Sequence, residues 1–337
     1  MMKLSLMQAV VATLNETNVS PIADAIVAAW AHDRDSARYF RASANFVFVF
    51  KRAGQPYVLR FTHAGERTAN AIQAELAFLQ HLAAYGVPVA LPIRSLSGRT
   101  VESIATPLGV FHAAVFELLP GQQFDVGDLP HTQFTRWGSA LGALHRAAEG
   151  YAGAGRPTIH DHLRMLAQQL PAHEDAARQL LALLELQVAA LPTDAQTFGL
   201  IHYDFELDNL LWNDQRVSIV DFDDCAGYWF VADIAYALRD LFDDQAEQID
   251  IADARFQAFI GGYRELRSVT DAELRHLPLF LRIHNLVSFA KLLHAADIDE
   301  THASPAWVVD LQAKLVRKAQ TYRDSFAATM SSFRITQ

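Results

Sequence analysis

The spacing of apolar residues changes along the chain, and the change predicts two structural regions. In the first third, apolar runs at residues 46–50 and 57–61 have the length of strands, and residues 54–56 (Gly-Gln-Pro) form a turn between them. Two further strands are predicted over residues 91–96 and 110–119. Strands follow one another here without the regular strand–helix alternation of a doubly wound sheet, which indicates a β-meander.

One helix interrupts this region, over residues 68–85. Thr68 is placed to cap its first turn, and Gly86 follows its last turn. Its apolar stripe at helical spacing consists of Ile72, Leu76, Leu79 and Ala83. Glu75 lies on the edge of this stripe. Such a carboxylate either faces water or turns inward to meet a cation, because a buried charge needs a partner.

The pattern becomes mainly helical after residues 120–121 (Pro-Gly), which end strand and helix alike. We therefore predict an α+β fold with a small β-rich N-terminal lobe, residues 1–119, and a larger, mainly helical C-terminal lobe, residues 120–337. The predicted helices besides 68–85 cover residues 21–30, 134–148, 160–170, 174–190, 231–242, 252–266, 271–295 with a break near Pro278, and 305–330.

Composition narrows the class of partner. The 337 residues carry a net charge of −10 without any cluster of Lys or Arg, which disfavours nucleic acid and anionic membranes and is compatible with a cationic substrate. Cys225 is the single cysteine, so an intrachain disulfide is excluded. The N-terminal stretch makes a poor signal peptide, and no apolar run has the length of a membrane span. We expect a cytoplasmic enzyme, and the sequence does not indicate its oligomeric state.

The most informative stretch is residues 202–209, His-Tyr-Asp-Phe-Glu-Leu-Asp-Asn. Asp204 is followed five residues later by the amide Asn209, and a short strand over residues 217–220 ends in the acidic residues Asp221, Asp223 and Asp224. Alone, Asp204 would be an ordinary turn residue. Together, these side chains offer oxygen ligands for a divalent cation beside a base that accepts a hydroxyl proton, which phosphoryl transfer from a nucleotide requires.

These elements resemble the aminoglycoside phosphotransferase family, which includes choline and homoserine kinases, within the protein-kinase-like fold. The resemblance covers roughly residues 40–240 and is carried by the patterns His-x-Asp-x-x-x-x-Asn and Ile-Val-Asp-Phe-Asp. It implies a bilobal enzyme that uses ATP and Mg²⁺, with Asp204 as the catalytic base and Asn209 and Asp221 as metal ligands. It further implies that Asp223 joins through water or supports the ligands, and that His202 orients the loop by hydrogen bonding.

The resemblance also assigns nucleotide-binding residues to the first lobe. Arg60 takes the position of the phosphate-binding lysine of kinases, and Glu75 would be its partner, turned inward. The loop over residues 43–46, with Asn45, would cover the phosphates although it contains no glycine. The backbone of Glu117 and Leu119 would read the adenine at the hinge.

Several other residues have two interpretations. Glu206 and Asp208 are either acidic loop residues that face water or residues that attract a cationic substrate. Asp233 resembles a buried aspartate that braces the catalytic loop. The aromatic residues 228–230 are expected in the core rather than in a cation-binding cage. Three polar residues that could reach a substrate, His145, His284 and Asn285, are expected to be packed or to cap other groups.

The expected function is transfer of the γ-phosphoryl group of ATP to a hydroxyl of a small molecule: an aminoglycoside, an amino alcohol such as homoserine or choline, or a sugar. Three alternatives remain open. The chain could be a bacterial Ser/Thr protein kinase of the same fold. The glycine-free loop and Arg60 would suit a catalytically weak nucleotide-binding sensor. The acidic cluster alone would suit a metal-dependent hydrolase.

Overall fold

The computed structural model describes residues 1–214, 216–241, 249–296 and 304–335. The chain forms two compact units. Unit 1 consists of Met1–Ala77, Ala90–Leu119 and Lys291–Ala319, and unit 2 of Phe78–Val89, Pro120–Ala290 and Gln320–Gln337. Each unit therefore draws on residues from both sides of position 119.

Unit 1 is built on a six-stranded antiparallel sheet in the order β1-β2-β3-β6-β4, with β5 also paired to β6. The strands are β1 (Arg38–Ala42), β2 (Phe46–Arg52), β3 (Gln55–His63), β4 (Pro92–Ile93), β5 (Glu102–Thr106) and β6 (Gly109–Glu117). Alternate residues of β2 are buried, and Phe46 and Phe48 stack on Phe61 with ring centroids 5.2 and 5.5 Å apart. The antiparallel pairing of β2 with β3 agrees with the predicted β-meander, but β3 then pairs with β6 rather than with β4, the next predicted strand.

The strand predicted over residues 91–96 is shorter than expected, because the chain turns after β4. The Ser95 N–H donates to the carbonyl of Arg99, and the buried Glu102 carboxylate accepts hydrogen bonds from Ser95 and Ser97. These contacts close a turn over residues 95–99; a turn at residues 97–99 is predicted from the sequence, but it begins earlier, within the predicted strand. The edge strands β1 and β5 were not predicted.

Three helices precede β4: α1 (Leu4–Val11), α2 (Pro21–Val27) and α3 (Ala69–Ala84). The Thr68 hydroxyl accepts from the Ala71 N–H at 3.2 Å and caps α3, and Gly86 ends it with a φ of +82°. The predicted stripe of α3 is buried at Ile72, Leu76 and Leu79. The helix predicted over residues 68–85 is therefore confirmed.

The rest of the chain is mainly helical. Its elements are α4 (His131–Ala148), α5 (Ile159–Gln169), α6 (Asp175–Ala189), β7 (Phe198–Ile201), β8 (Leu210–Trp212), β9 (Val217–Ile219), β10 (Ala226–Trp229), α7 (Phe230–Leu238), α8 (Ala254–Leu266), α9 (Asp271–Leu274), α10 (Leu277–Ala295) and α11 (Ala306–Ile335). β7 pairs with β10 and β8 with β9, both antiparallel. The strand β10 was not predicted.

The helix breaks follow local chemistry. The predicted break near Pro278 lies between α9 and α10. Pro278 is the second residue of α10, where a backbone N–H would have no acceptor within the helix, so proline is tolerated there. The helix predicted over residues 231–242 ends at Leu238 and continues as a 3₁₀ turn, Arg239–Leu241, and Phe242 lies outside the described residues.

Helices α4 and α8 approach each other closely through glycines. A Cβ on Gly138 would overlap the carbonyl oxygen of Phe259, and one on Gly262 would overlap that of Thr135. Gly261, on the exposed side of α8, has no atom within 4 Å of its Cβ position. The two helices therefore pack backbone against backbone on the faces that carry Gly138 and Gly262.

We predict that Gly138→Ala lowers the free energy of unfolding by about 2–3 kcal/mol, because the added methyl group overpacks the contact. Gly261→Ala is the matched control and should raise it by about 0.5–1 kcal/mol, since alanine is the better helix residue where space is open. Urea unfolding of both variants measures the difference. If both substitutions raised the free energy of unfolding equally, the result would contradict the close contact between α4 and α8.

Candidate active site

The loop between β7 and β8 begins with a histidine that fixes its backbone. The Asp204 N–H donates to Nδ1 of His202 at 3.2 Å, so the proton of the neutral imidazole lies on Nε2, which donates to the Val220 carbonyl at 3.0 Å. The ring is fully buried and packs against Phe222, with ring centroids 4.3 Å apart. The role predicted for His202, orienting the loop, is confirmed.

Asp233, on α7, braces the same loop from inside. Its carboxylate accepts the N–H groups of His202 at 2.8 Å and Tyr203 at 2.9 Å, and lies 3.0 Å from Nε2 of His145. Tyr203 has a φ of +75°, a conformation that costs a residue with a side chain roughly 1–3 kcal/mol. Hydrogen bonds to a carboxylate are strong enough to hold it there. The bracing role predicted for Asp233 is confirmed.

A chain of buried hydrogen bonds supports Asp233 in turn. Arg267 donates to the Tyr263 hydroxyl oxygen at 3.1 Å, and that hydroxyl lies 2.9 Å from Nδ1 of His145. Burial lowers the pKa of His145 and raises the pKa of Tyr263. A neutral His145 then accepts from Tyr263 and donates to Asp233. The expectation that His145 is a packed residue is confirmed.

Asp204 and Asn209 contact each other directly. Nδ2 of Asn209 donates to the Asp204 main-chain carbonyl at 2.9 Å and to its Oδ2 at 3.1 Å. These bonds orient the amide so that its Oδ1 is the atom suited to bind a metal ion. Asn209 is buried, whereas the Asp204 side chain is 41% exposed. The arrangement fixes the carboxylate and leaves part of it accessible.

Asp221 is brought beside this pair by the backbone. Leu210 pairs with Ile219, and the Val220 N–H donates to the Asn209 carbonyl at 3.0 Å. Asp221 itself has a φ of +63°, so the chain turns sharply at this residue. Strand β9 therefore delivers Asp221 to the loop that carries Asp204 and Asn209.

Asp223, two residues further on, is buried. The guanidinium of Arg156 donates to its main-chain carbonyl at 2.5 Å and to that of Cys225 at 2.8 Å. Arg156 thus holds the turn that follows Asp221. It was not predicted, because a single arginine in a loop between two helices has no recognisable spacing to its partners.

In unit 1, Arg60 and Glu75 form a buried ion pair. Nη2 of Arg60 lies 2.7 Å from both carboxylate oxygens of Glu75, which is fully buried. The guanidinium also lies over the ring of Phe116, 4.9 Å from its centroid. Of the two interpretations of Glu75, the inward one is confirmed.

The remaining residues predicted for nucleotide binding also belong to unit 1. Asn45 is buried and precedes β2, and Glu117 is the exposed last residue of β6, with Leu119 just beyond it. Because β6 pairs with β3, which carries Arg60, the end of β6 and the ion pair lie on neighbouring strands. Their roles stay predictions.

A second arginine that the sequence did not indicate contacts the loop between β7 and β8. Arg239, directly after α7, has its Nη2 3.5 Å from Oδ1 of Asp204. Asp208 is exposed, and its main-chain carbonyl accepts a hydrogen bond from Gln123. Arg239 lies 35 residues from Asp204, and nothing in the local pattern distinguishes it from an ordinary helix-end arginine.

Tyr228, Trp229 and Phe230 are all buried, as predicted for core residues. His284 and Asn285 lie on α10 and are also buried. Within the described ranges, no helix is both long and apolar enough to cross a membrane.

The side chains near Asp204 offer few ligands for a metal ion. Among the residues that the structure describes, no group of three or more His, Cys, Asp or Glu side chains could hold a metal by itself. Asn209 and Asp221 instead offer one amide and one carboxylate oxygen. Mg²⁺ in nucleotide-dependent enzymes is commonly held by one or two protein oxygens together with phosphates and water, so these residues fit it.

The fold agrees with comparisons to known proteins. A model of the phosphotransferase enzyme family matches residues 36–269, and the chain belongs to this family. It is 28% identical to an amicoumacin kinase of Bacillus subtilis (strain 168) over 285 residues, which cover 81% of this chain and 84% of the relative. The class predicted from the sequence, a phosphotransferase of the kinase type, is confirmed.

Two solved structures share the fold. The amicoumacin kinase hAmiN, in complex with AMP-PNP, Ca²⁺ and Ami, superposes with a TM-score of 0.74 at 24% identity, covering 90% of this chain and 92% of that one. A microcompartment-associated aminopropanol kinase gives 0.70 at 22% identity, covering 92% and 97%. The predicted α+β, protein-kinase-like fold is therefore confirmed.

We predict an acid-dependent loss of stability that originates at His145. The unfolded chain protonates this histidine below its ordinary pKa of 6.5, whereas the folded chain, with its lowered pKa, keeps it neutral. Stability from this group is therefore present above pH 6.5 and declines as the pH falls below that value. His145→Gln, which retains a donor and an acceptor, should flatten the slope of unfolding free energy against pH.

His160→Gln, which replaces an exposed histidine, is the control and should leave the slope as in the wild type. Urea unfolding between about pH 5 and pH 8 covers the relevant range. A His145→Gln variant with the wild-type slope would show that His145 is not the origin of the pH dependence.

Proposed function

We propose that the chain transfers the γ-phosphoryl group of ATP to a hydroxyl group of a small molecule, with Asp204 as the base. The observation that carries this proposal is the cluster of Asp204, Asn209 and Asp221 in unit 2. One carboxylate oxygen of Asp204 is bonded to Asn209, while the side chain remains partly accessible to an acceptor. A hydroxyl that meets this carboxylate gives up its proton there as its oxygen bonds to phosphorus and ADP leaves.

Asn209, through Oδ1, and Asp221, through its carboxylate, would hold Mg²⁺, and Asp223 would contribute through water. Mg²⁺ bound there would neutralise charge on the transferring phosphoryl group. The backbone bond between Val220 and Asn209 holds together the main-chain segments that carry the two ligands, and the turn at Asp221 sets the direction in which its side chain leaves the backbone. The chain itself therefore supplies position and charge rather than a covalent intermediate.

The first lobe, residues 1–119, would bind the nucleotide. Arg60 is held by Glu75 and Phe116 and would contact phosphate oxygens, a task that arginine shares with lysine although with a different geometry. Asn45 and the glycine-free loop would approach the phosphates, and the main chain at Glu117 and Leu119 would read the adenine. The second lobe, residues 120–337, would supply catalysis and the acceptor pocket.

The names of the relatives support a small-molecule acceptor, since they include an amicoumacin kinase and an aminopropanol kinase. The net charge of −10 favours a cationic acceptor such as an amino alcohol or an aminoglycoside. A cytoplasmic location, where ATP is available, is compatible with a chain whose single cysteine, Cys225, forms no intrachain disulfide.

A nucleotide sensor without turnover is the second candidate. It is favoured by the absence of glycine from residues 43–46 and by Arg60 at the lysine position. The contacts among Asp204, Asn209 and Asp221 weigh against it, because a protein that only binds a nucleotide has no need for a positioned base. Binding of ATP in a thermal-shift titration, without ADP release for any acceptor, would favour the sensor.

The test is a screen for ADP release in the presence of Mg²⁺ over aminoglycosides, amino alcohols, sugars and a protein acceptor. For the acceptor found, Asp204→Asn should lower kcat by about 10²–10⁴-fold, because the amide cannot accept the proton. Asp128→Asn, an exposed aspartate in a loop, is the matched control and should keep wild-type activity. An Asp204→Asn variant with unchanged kcat would refute the assignment of the base.

A further inference from the structure

Arg239 lies among three polar groups of unit 2. Besides Oδ1 of Asp204 at 3.5 Å, its guanidinium contacts the carboxylate of Glu206, and its Nη1 lies 2.8 Å from Nε2 of His284. The three partners come from the catalytic loop and from α10. Only 17% of the Arg239 side chain is exposed, so its position is set by these contacts rather than by water.

The Glu206 carboxylate is paired with Arg239. Its side chain is 16% exposed, and a carboxylate with so little access to water requires a cation close by. Arg239 supplies that cation. It also compensates the negative charge of Asp204, which lies two residues away on the same loop. With Glu206 paired in this way, its charge is not available to attract a cationic acceptor.

His284 holds the opposite side of the guanidinium. An arginine has donors only, so Nε2 of His284 must accept the hydrogen bond, and the proton of the imidazole lies on Nδ1. The ring is in turn packed against Tyr236, with centroids 4.9 Å apart, and Tyr203, at 6.1 Å. Arg239 is thus fixed by a charged acceptor on one side and by a neutral, packed acceptor on the other.

We propose that Arg239 is a positioning residue for Asp204, and that Glu206 and His284 serve to hold Arg239 rather than to bind the acceptor. This rests on the proposed function of Asp204 as the base. Asn209 binds Oδ2 of Asp204 and Arg239 approaches Oδ1, so the two oxygens of the base are fixed from different elements. Loss of Arg239 lets the carboxylate rotate away from the hydroxyl, which lowers kcat and leaves the KM for ATP unchanged.

A double-mutant cycle tests the chain of contacts. Arg239→Met should lower kcat by about 100-fold, the scale expected when a reacting group is displaced by about 1 Å. Glu206→Gln should lower kcat in the wild-type background but should have no further effect in the Arg239→Met background, because it acts through Arg239. If Glu206 instead bound a cationic acceptor, Glu206→Gln would raise the acceptor KM equally in both backgrounds, and this would overturn the proposal.

His284 provides a test by conservative replacement. His284→Gln retains an acceptor oxygen for Arg239 and should keep kcat within a few-fold of the wild type, roughly the cost of one altered hydrogen bond. His284→Leu removes the acceptor and should lower kcat towards the value of Arg239→Met. Equal losses of kcat in His284→Gln and His284→Leu would contradict the role of the His284 Nε2 atom as the acceptor.

Arg264→Met is the matched control, because Arg264 pairs with the exposed Asp271 on the surface of the same unit. It should leave kcat and both KM values unchanged. Urea unfolding of the wild type and the three variants of the cycle shows independently that each is folded and whether Glu206 and Arg239 are coupled. Absence of transfer by the wild type would refute the proposed function together with this role, whereas additive losses of kcat in an active wild type would overturn the positioning role alone.

Discussion

The site depends on one buried carboxylate, that of Asp233, which accepts hydrogen bonds from two consecutive N–H groups of the loop between β7 and β8. Tyr203 between His202 and Asp204 has a positive φ that the residue would not adopt unaided. Because the carboxylate is fully buried, its hydrogen bonds cannot be exchanged for water, and it imposes this conformation on the backbone. The direction of the Asp204 side chain follows from that turn.

Two carboxylates with little access to water, one in each unit, are paired with arginines. Glu75 is paired with Arg60 in unit 1, and Glu206 with Arg239 in unit 2. Such pairs contribute little to stability compared with apolar packing, yet removal of one partner leaves an uncompensated buried charge. We propose that each pair holds a guanidinium in one orientation, Arg60 for its proposed contact with phosphate and Arg239 for its proposed support of Asp204.

Much of the site could be predicted because its chemistry restricts residue types and spacing. A base and a metal ligand on one loop, followed by a carboxylate at a strand end, identify Asp204, Asn209 and Asp221 in the sequence. Arg156 and Arg239 could not be predicted, because their partners lie far along the chain and are met only in the folded protein. The strands β1, β5 and β10 were missed for a related reason, since their pairing rather than their own pattern defines them.

The most direct measurement is the rate of phosphoryl transfer by Asp233→Asn. The N–H groups of His202 and Tyr203 meet different oxygens of Asp233, and asparagine replaces one of these oxygens with an NH₂ group, which cannot accept a hydrogen bond. In a variant shown to be folded by its cooperative unfolding, we expect kcat to fall by about 100-fold while ATP binding persists, because the base is displaced and the nucleotide residues are not. An unchanged kcat would contradict the claim that Asp233 positions the catalytic loop.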